Sequence, residues 1–179
     1  MNFEVRPYGK TNRLDSMQVT ITEKLDGTNA CVVIEQGEFK GTQSRKRAIT
    51  PGDDNFGFAS WAYSRQDDLL QLGDGYHYGE WVGPGIQKNP HNLEEKKFFL
   101  FNTARPVETL PDGVNQVPIL YQGDFLGVNH VDEVAKELFD TETAKGNTPE
   151  GIIVYFHSMR LPMKYTFHAN KPKWMLENA

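Results

Sequence analysis

A run of alternating apolar residues that stops at a lysine and a turn is the feature that most restricts how this chain can fold. Met17, Val19 and Ile21 alternate with other residues, which predicts a strand with one buried face. The run meets segment 24–29, KLDGTN, in which Asp-Gly is a common turn dipeptide. The pattern therefore predicts a strand ending in a tight bend that holds Lys24, with a carboxylate two residues on. A lysine in this position can be offered to a phosphate group.

Strand-like segments continue along the chain and outnumber the helical ones. The predicted strands have the approximate bounds 17–25, 30–36, 38–43, 76–82, 96–102, 117–122, 151–157 and 162–168. Helices are predicted at about 53–72 and 130–140. Many strands with few, irregularly placed helices predict an α+β domain with mainly antiparallel sheets.

Each predicted helix has an expected cap and an expected apolar face. For the first, the cap is Asp53 or Asp54, and the residues near one face are Phe56, Ala59, Tyr63 and Leu70. For the second, the cap is Asn129, and Asp132 and Glu133 are expected near the positive end of the helix dipole. Its apolar residues follow helical spacing: Val131, Val134, Ala135, Leu138 and Phe139.

Length and composition indicate a single domain over residues 1–179. No apolar run reaches the length of a membrane helix, and the first residues lack the apolar stretch of a signal peptide. The lone Cys31 excludes an internal disulfide and is expected in the core, which fits a reducing cytoplasm. The net charge of -5 is unlike that of a typical nucleic-acid-binding domain, although Arg45, Lys46 and Arg47 form a basic cluster. The five histidines show no metal-ligand spacing and are expected to be structural.

Five further segments carry residues suited to phosphate chemistry. In chain order they are Ser44-Arg45, Tyr78-Gly79-Glu80-Trp81, Phe98-Phe99-Leu100-Phe101, Glu150-Gly151-Ile152-Ile153-Val154 and Met163-Lys164-Tyr165. Each is weak evidence alone, because such phenylalanines are more often core and such basic residues more often lie in a solvated turn. Their order and spacing behind Lys24 make the set specific.

The whole set, spanning about residues 17–168, resembles the covalent nucleotidyltransferases, which are the polynucleotide ligases and the mRNA capping enzymes. The resemblance implies an ATP-grasp-like ligase core in which Lys24 attacks the α-phosphate of a nucleoside triphosphate. A free lysine is almost fully charged at neutral pH. Carboxylates near Lys24 would stabilise the charged amine, whereas Arg45, Lys164 and a bound divalent metal would favour the neutral nucleophile.

The expected roles of the other residues follow from their chemistry. Glu80 and Glu150 offer the hard oxygen ligands that Mg²⁺ prefers, and Mn²⁺ is the expected alternative. Arg45 can form two parallel hydrogen bonds to a phosphate or a carboxylate, and Phe101 offers a flat face on which adenine can stack. Lys164 would neutralise charge that develops on the α-phosphate. The expected catalytic residues are therefore Lys24, Glu80, Glu150 and Lys164.

Asn29 and Glu23 narrow the resemblance to ATP-dependent RNA ligases of the bacteriophage double-strand-sealing type. In that group Gly-Thr-Asn follows the lysine motif, whereas DNA ligases and capping enzymes typically carry arginine where this chain has Asn29. Glu23 and Asn29 are accordingly expected among the nucleotide-binding residues, with Asn29 serving the RNA-facing steps. The implied partners are RNA ends, a 5′-phosphate and a 3′-hydroxyl, and the expected state is a monomer.

Two departures from the family pattern bear on activity. Thr166 stands where the family often has a second lysine, and Lys171 or Arg160 is the expected substitute. The chain also ends soon after the last motif, so no C-terminal domain is expected and a separate RNA-binding partner is left open. The alternatives are a small DNA ligase core, a capping guanylyltransferase that uses GTP, or a non-catalytic nucleotide- or RNA-binding module with the same fold.

Overall fold

The computed structural model describes residues 4, 6–11, 17–168 and 171–176, and within them it confirms the α+β fold. Ten strands are present: β1 Gln18–Lys24, β2 Thr28–Glu35, β3 Glu38–Ser44, β4 Ala48–Ile49, β5 Gly75–Val82, β6 Lys97–Leu100, β7 Val114–Gln116, β8 Ile119–Asp124, β9 Gly151–Phe156 and β10 Leu161–Thr166. The helices are α1 Phe58–Tyr63, α2 Gln66–Leu69, α3 Val128–Ala144 and α4 Lys173–Leu176.

The described strands form two sheets, and the chain passes from one to the other between β1 and β2. One sheet has the order β10-β9-β1-β8, and the other has the order β4-β3-β2-β5-β6-β7. Among the described strands, β6 and β7 are a parallel pair and the other neighbours are antiparallel. Because β1 lies in the first sheet and β2 in the second, the turn at 25–27 carries the chain from one sheet to the other.

Each sheet buries one face against helices. The six-stranded sheet packs on α1 and α2 through an aromatic core in which Phe58 contacts Trp61, Trp81 and Phe98. The four-stranded sheet packs on α3 and α4 through a second core that includes Val19, Ile21, Ile152 and Phe167. The side of β1 that carries Lys24 and the side of β5 that carries Glu80 face away from these two cores, and we call the region between them the groove. A small third cluster packs beside it: Leu25, Val82 and Val117, with Leu93 and Phe99.

The predicted helix over 53–72 was wrong in extent. It is broken into α1, α2 and a 3₁₀ turn at Leu70–Leu72, and residues before Phe58 are not helical. The carboxylate of Asp54 does satisfy the first turn, because it accepts hydrogen bonds from the backbone N–H groups of Ala59 and Ser60. Phe56 is exposed rather than on the apolar face, and its backbone has φ 54°.

The second predicted helix is confirmed and extended to Val128–Ala144. Val131, Ala135 and Leu138 are buried, as the spacing predicted. The predicted cap was wrong, because Gly127 precedes the first turn and Asn129 lies inside the helix. The first turn therefore contains no acidic residue. None of the described helices is long and apolar enough to cross a membrane.

Candidate active site

Lys24 is the last residue of β1 and lies where the two sheets meet. Its backbone pairs with Gly151, the first residue of β9, so Glu150 immediately precedes the position opposite the lysine. Lys24 Nζ and the Glu150 carboxylate form an ion pair, with about a quarter of each side chain exposed. Gly151 has φ +152°, and a Cβ there would lie 2.1 Å from the carbonyl oxygen of Tyr165. Only glycine lets the three strands approach this closely beside Glu150.

Glu80 reaches the same place from the other sheet. It lies on β5 directly opposite Asn29 of β2, and the backbone N–H of Gly27 favours its carboxylate form by lowering its pKa. A Cβ on Gly27 would lie 2.4 Å from the carbonyl oxygen of Trp81. Only glycine at this position therefore lets the turn after Lys24 pack against β5.

The pKa of Glu80 shows which charged groups lie near its carboxylate. The pKa of Glu80 is raised to about 7, chiefly by burial and also by the nearby Glu150 carboxylate. Lys24, Arg45 and the Gly27 N–H act in the opposite direction. Two carboxylates that repel each other beside one lysine form a site with room for another cation. The charges of three predicted site residues therefore act on the Glu80 carboxylate: Lys24, Glu150 and Arg45.

Lys164 lies on the same side of its sheet as Lys24. It pairs with Ile153, which pairs with Thr22, and directly paired residues project to the same face. Thr166 pairs with Gly151, which in turn pairs with Lys24, so Thr166 lies in line with Lys24 across the three strands. The expected substitute Arg160 precedes β10 at the turn of the β9–β10 hairpin, six residues or roughly 20 Å along the strand from Thr166. The structure therefore does not bring Arg160 to the site.

Phe101 and Asn29 lie on the groove side of the six-stranded sheet. Phe101 follows β6, its N–H donates to the carbonyl of Tyr78 at 3.0 Å, and its ring is about half exposed. Phe98 points the other way, into the aromatic core. Alternation along one strand therefore separates a core phenylalanine from one that is open to a ligand.

Glu23 is the predicted site residue that the structure places elsewhere. Consecutive residues of β1 face opposite sides, so Glu23 points away from Lys24 and towards α3. There it lies beside His91 and Glu142, two residues that the sequence did not single out. No spacing signal joins these three, because they come from β1, the loop before β6 and the end of α3. Another histidine, His77 on β5, lies outside this cluster, and its Nε2 is 2.8 Å from the carbonyl oxygen of Gly73.

Comparison with known proteins decides the family. The sequence profile of the RNA ligase family matches residues 17–166, which is most of the chain. The chain belongs to the RNA ligase family. The match covers every predicted motif from the strand before Lys24 to Thr166. No curated protein sequence matches.

Solved structures share the fold of this RNA ligase family member. A mutant of Naegleria gruberi RNA ligase bound to ATP and Mn superposes with a TM-score of 0.65 at 17% identity, covering 92% of this chain and 52% of that one. A mutant bound to AMP and Mn gives 0.63 at 20% identity, covering 93% and 53%. An apo mutant gives 0.62 at 19% identity, covering 86% and 50%. This chain thus spans about half the length of the structures that it matches.

Proposed function

We propose that this chain is the adenylyltransferase core of an ATP-dependent RNA ligase, with Lys24 as the nucleophile. The observation that carries the proposal is the position of Lys24 between Glu150 of one sheet and Glu80 of the other. A surface ion pair needs no second buried carboxylate, whereas a site that brings a lysine, a phosphate and a metal ion together does. Family membership supports the same activity.

The proposed reaction has three steps. The Nζ of Lys24 attacks the α-phosphorus of ATP, the N–P bond forms, and pyrophosphate leaves. An oxygen of an RNA 5′-phosphate then attacks the same phosphorus, which gives RNA-adenylate and frees the lysine. Finally an RNA 3′-hydroxyl attacks the 5′-phosphate, the phosphodiester forms, and AMP leaves.

The residues of the groove have distinct parts in the first step. Lys24 has to leave its ion pair with Glu150 and lose a proton before it can attack. Arg45 and Lys164 supply positive charge for the phosphates, and Phe101 supplies a stacking face for adenine. Glu80 and Glu150 would hold Mg²⁺ or Mn²⁺, because the raised pKa of Glu80 marks a carboxylate that lacks a sufficient counter-charge. When bound, such a metal supplies positive charge that neutralises the phosphates and competes with the lysine for Glu150.

ATP and a divalent metal are the proposed cofactors. Mutants of the Naegleria gruberi RNA ligase have been solved with ATP and Mn and with AMP and Mn, which supports both assignments. The proposed partners are RNA ends, and the proposed state is a monomer that acts in RNA repair. The single buried thiol of Cys31 supports a cytoplasmic location.

A sealing assay tests the RNA assignment. The wild-type chain is expected to join a nicked RNA duplex or single-stranded RNA ends with ATP, and to join the matching DNA poorly. Asn29→Ala is expected to keep adenylylation of Lys24 and to reduce sealing by tenfold or more, because Asn29 faces the groove opposite Glu80. Lys24→Ala is the inactive control. Efficient sealing of DNA, or undiminished sealing by Asn29→Ala, would contradict the assignment.

A further inference from the structure

A second polar cluster lies on the opposite face of β1 from the catalytic groove. It consists of Glu23, His91 and Glu142, with one potential ligand atom from each residue within 4.8 Å of the others. The three residues come from the strand that ends at Lys24, the loop before β6 and the last turns of α3. The cluster therefore joins three elements that are far apart in the sequence.

The imidazole of His91 lies beside the Glu142 carboxylate. His91 Nδ1 lies 3.7 Å from Glu142 Oε2, and that carboxylate is itself fixed by Lys145 Nζ at 2.7 Å and by Asn147 Nδ2 at 2.7 Å. The contact is electrostatic and longer than a hydrogen bond. A proton on Nδ1, on the side of Glu142, would leave Nε2 as the lone-pair nitrogen. A carboxylate beside one ring nitrogen is typical of histidines that bind a metal through the other.

The lone-pair nitrogen faces a buried carboxylate oxygen that has no hydrogen bond. His91 Nε2 lies 3.3 Å from Glu23 Oε1, and the Glu23 side chain is 6% exposed. Neither atom has a hydrogen-bond partner among the described residues. Two acceptors held together away from water are unstable unless a positive charge lies between them.

The charges around the cluster are also unbalanced. Glu23 and Glu142 contribute two carboxylates. Lys145 Nζ is bonded to Glu142, whereas Glu23 Oε1 has no hydrogen-bond partner among the described residues. A cation bound between Glu23 and His91 would balance the second carboxylate.

We propose that Glu23 Oε1 and His91 Nε2 bind a divalent transition-metal ion of the Zn²⁺ class, with Glu142 holding the imidazole in the binding tautomer. Two ligands of one tetrahedral Zn²⁺, with bonds of about 2.0–2.1 Å, lie about 3.3 Å apart. The separation in this chain already matches that value. The remaining positions would be filled by water or by movement of the Glu142 carboxylate.

The mixed nitrogen and oxygen ligands distinguish this site from the catalytic one. Imidazole favours Zn²⁺ and its neighbours over Mg²⁺, whereas Glu80 and Glu150 offer oxygen alone. The new site would fasten the end of β1 to α3 and to the loop before β6. Its effect on Lys24 would therefore be one of positioning, and the site exists or fails independently of the proposed ligase activity.

Metal titration tests the site without any nucleotide. The wild-type chain and Glu80→Gln, which lacks a catalytic carboxylate, are expected to bind one Zn²⁺ and to melt at a higher temperature with Zn²⁺. Glu23→Gln and His91→Gln are expected to weaken Zn²⁺ binding at least tenfold and to lose the thermal shift. His77→Gln, which changes a half-buried histidine on β5, is the matched control and should bind as the wild type does. Circular dichroism checks that each variant is folded.

Several results would overturn the proposal. One is a wild-type chain that binds no Zn²⁺. Another is binding by the Glu80→Gln chain that survives the addition of Glu23→Gln and of His91→Gln. Co²⁺ provides a measurement that needs no variant, because a nitrogen and oxygen site of low coordination number gives intense visible absorption. A wild-type spectrum like that of aqueous Co²⁺ would contradict the site. Absent metal binding combined with a Glu23-dependent change in stability with pH would assign a shared proton to the cluster instead.

Discussion

Glu80 is the residue in which function and stability oppose each other most directly. Its carboxylate is buried beside Glu150, and burial raises its pKa to about 7. In the unfolded chain the same group titrates near its ordinary value of 4.5. The folded protein therefore loses stability as pH rises from about 4.5 to about 7, because unfolding allows Glu80 to ionise in water.

Replacing Glu80 with glutamine should separate the two effects. At pH 8 and without nucleotide, Glu80→Gln is expected to be more stable than the wild type by about 1–3 kcal/mol, and the difference should vanish near pH 4. The same variant should lose most adenylylation. Chemical denaturation across this pH range measures the gap, with Glu133→Gln on the exposed side of α3 as the control. A gap that is equal at both pH values would contradict the electrostatic account.

Residue chemistry was the level at which the sequence was most informative. The positions of Lys24, Glu80, Glu150 and Arg45 in one neighbourhood agree with the sequence prediction, although their roles stay predictions. The face of Glu23 was predictable from strand alternation once β1 was assigned. Its partners His91 and Glu142 were not, because only the packing of α3 and the loop before β6 brings them together.

At the scale of elements, the hairpin of β9 and β10 depends on one glycine. Gly151→Ala should destabilise the chain by more than about 2 kcal/mol, because the new Cβ would lie 2.1 Å from the carbonyl oxygen of Tyr165. Gly37→Ala is the control, since Gly37 has φ +71° with no atom within 4 Å of the added Cβ. It should cost about 1 kcal/mol through backbone strain alone. Equal losses in denaturant unfolding would show that contact at Gly151 is unimportant.

The sequence predicted the longer strands well, but it missed two short strands and misjudged the helix starts. All eight predicted strands are present, whereas β4 and β7 were missed because strands of two or three residues show no alternation. The helix at 53–72 was misjudged because Asp54 satisfies the first turn from outside the helix, which mimics a cap in the sequence. Asn129 was also misjudged as a cap, since Gly127 is the residue before the first turn and Asn129 lies inside α3.

At the scale of the whole molecule, the groove depends on how the two sheets are held together. Leu25, directly after Lys24, packs with Val82 and Val117 at the junction. Leu25→Ala should cost about 2–3 kcal/mol of stability and also slow adenylylation several-fold at temperatures well below melting. Leu72→Ala, in the core of the six-stranded sheet, should cost a similar amount without slowing adenylylation. Equal rates for both variants would contradict a positioning role for the junction.

The two-sheet arrangement was predictable only through the family resemblance. Composition and strand count predicted an α+β fold, but nothing in residues 25–27 alone indicates that the chain changes sheets there. Long-range pairing, such as β1 between β8 and β9, is set by packing of whole faces rather than by local pattern.

The central claim is that Lys24 accepts AMP, and the mass of the intact chain tests it most directly. After incubation with ATP and Mg²⁺, the wild-type chain should gain the mass of one AMP. GTP should give no adduct, and Lys24→Ala should give none with ATP while keeping its fold by circular dichroism. No adduct on protein shown to be free of AMP beforehand, or an adduct that persists in Lys24→Ala, would contradict the claim.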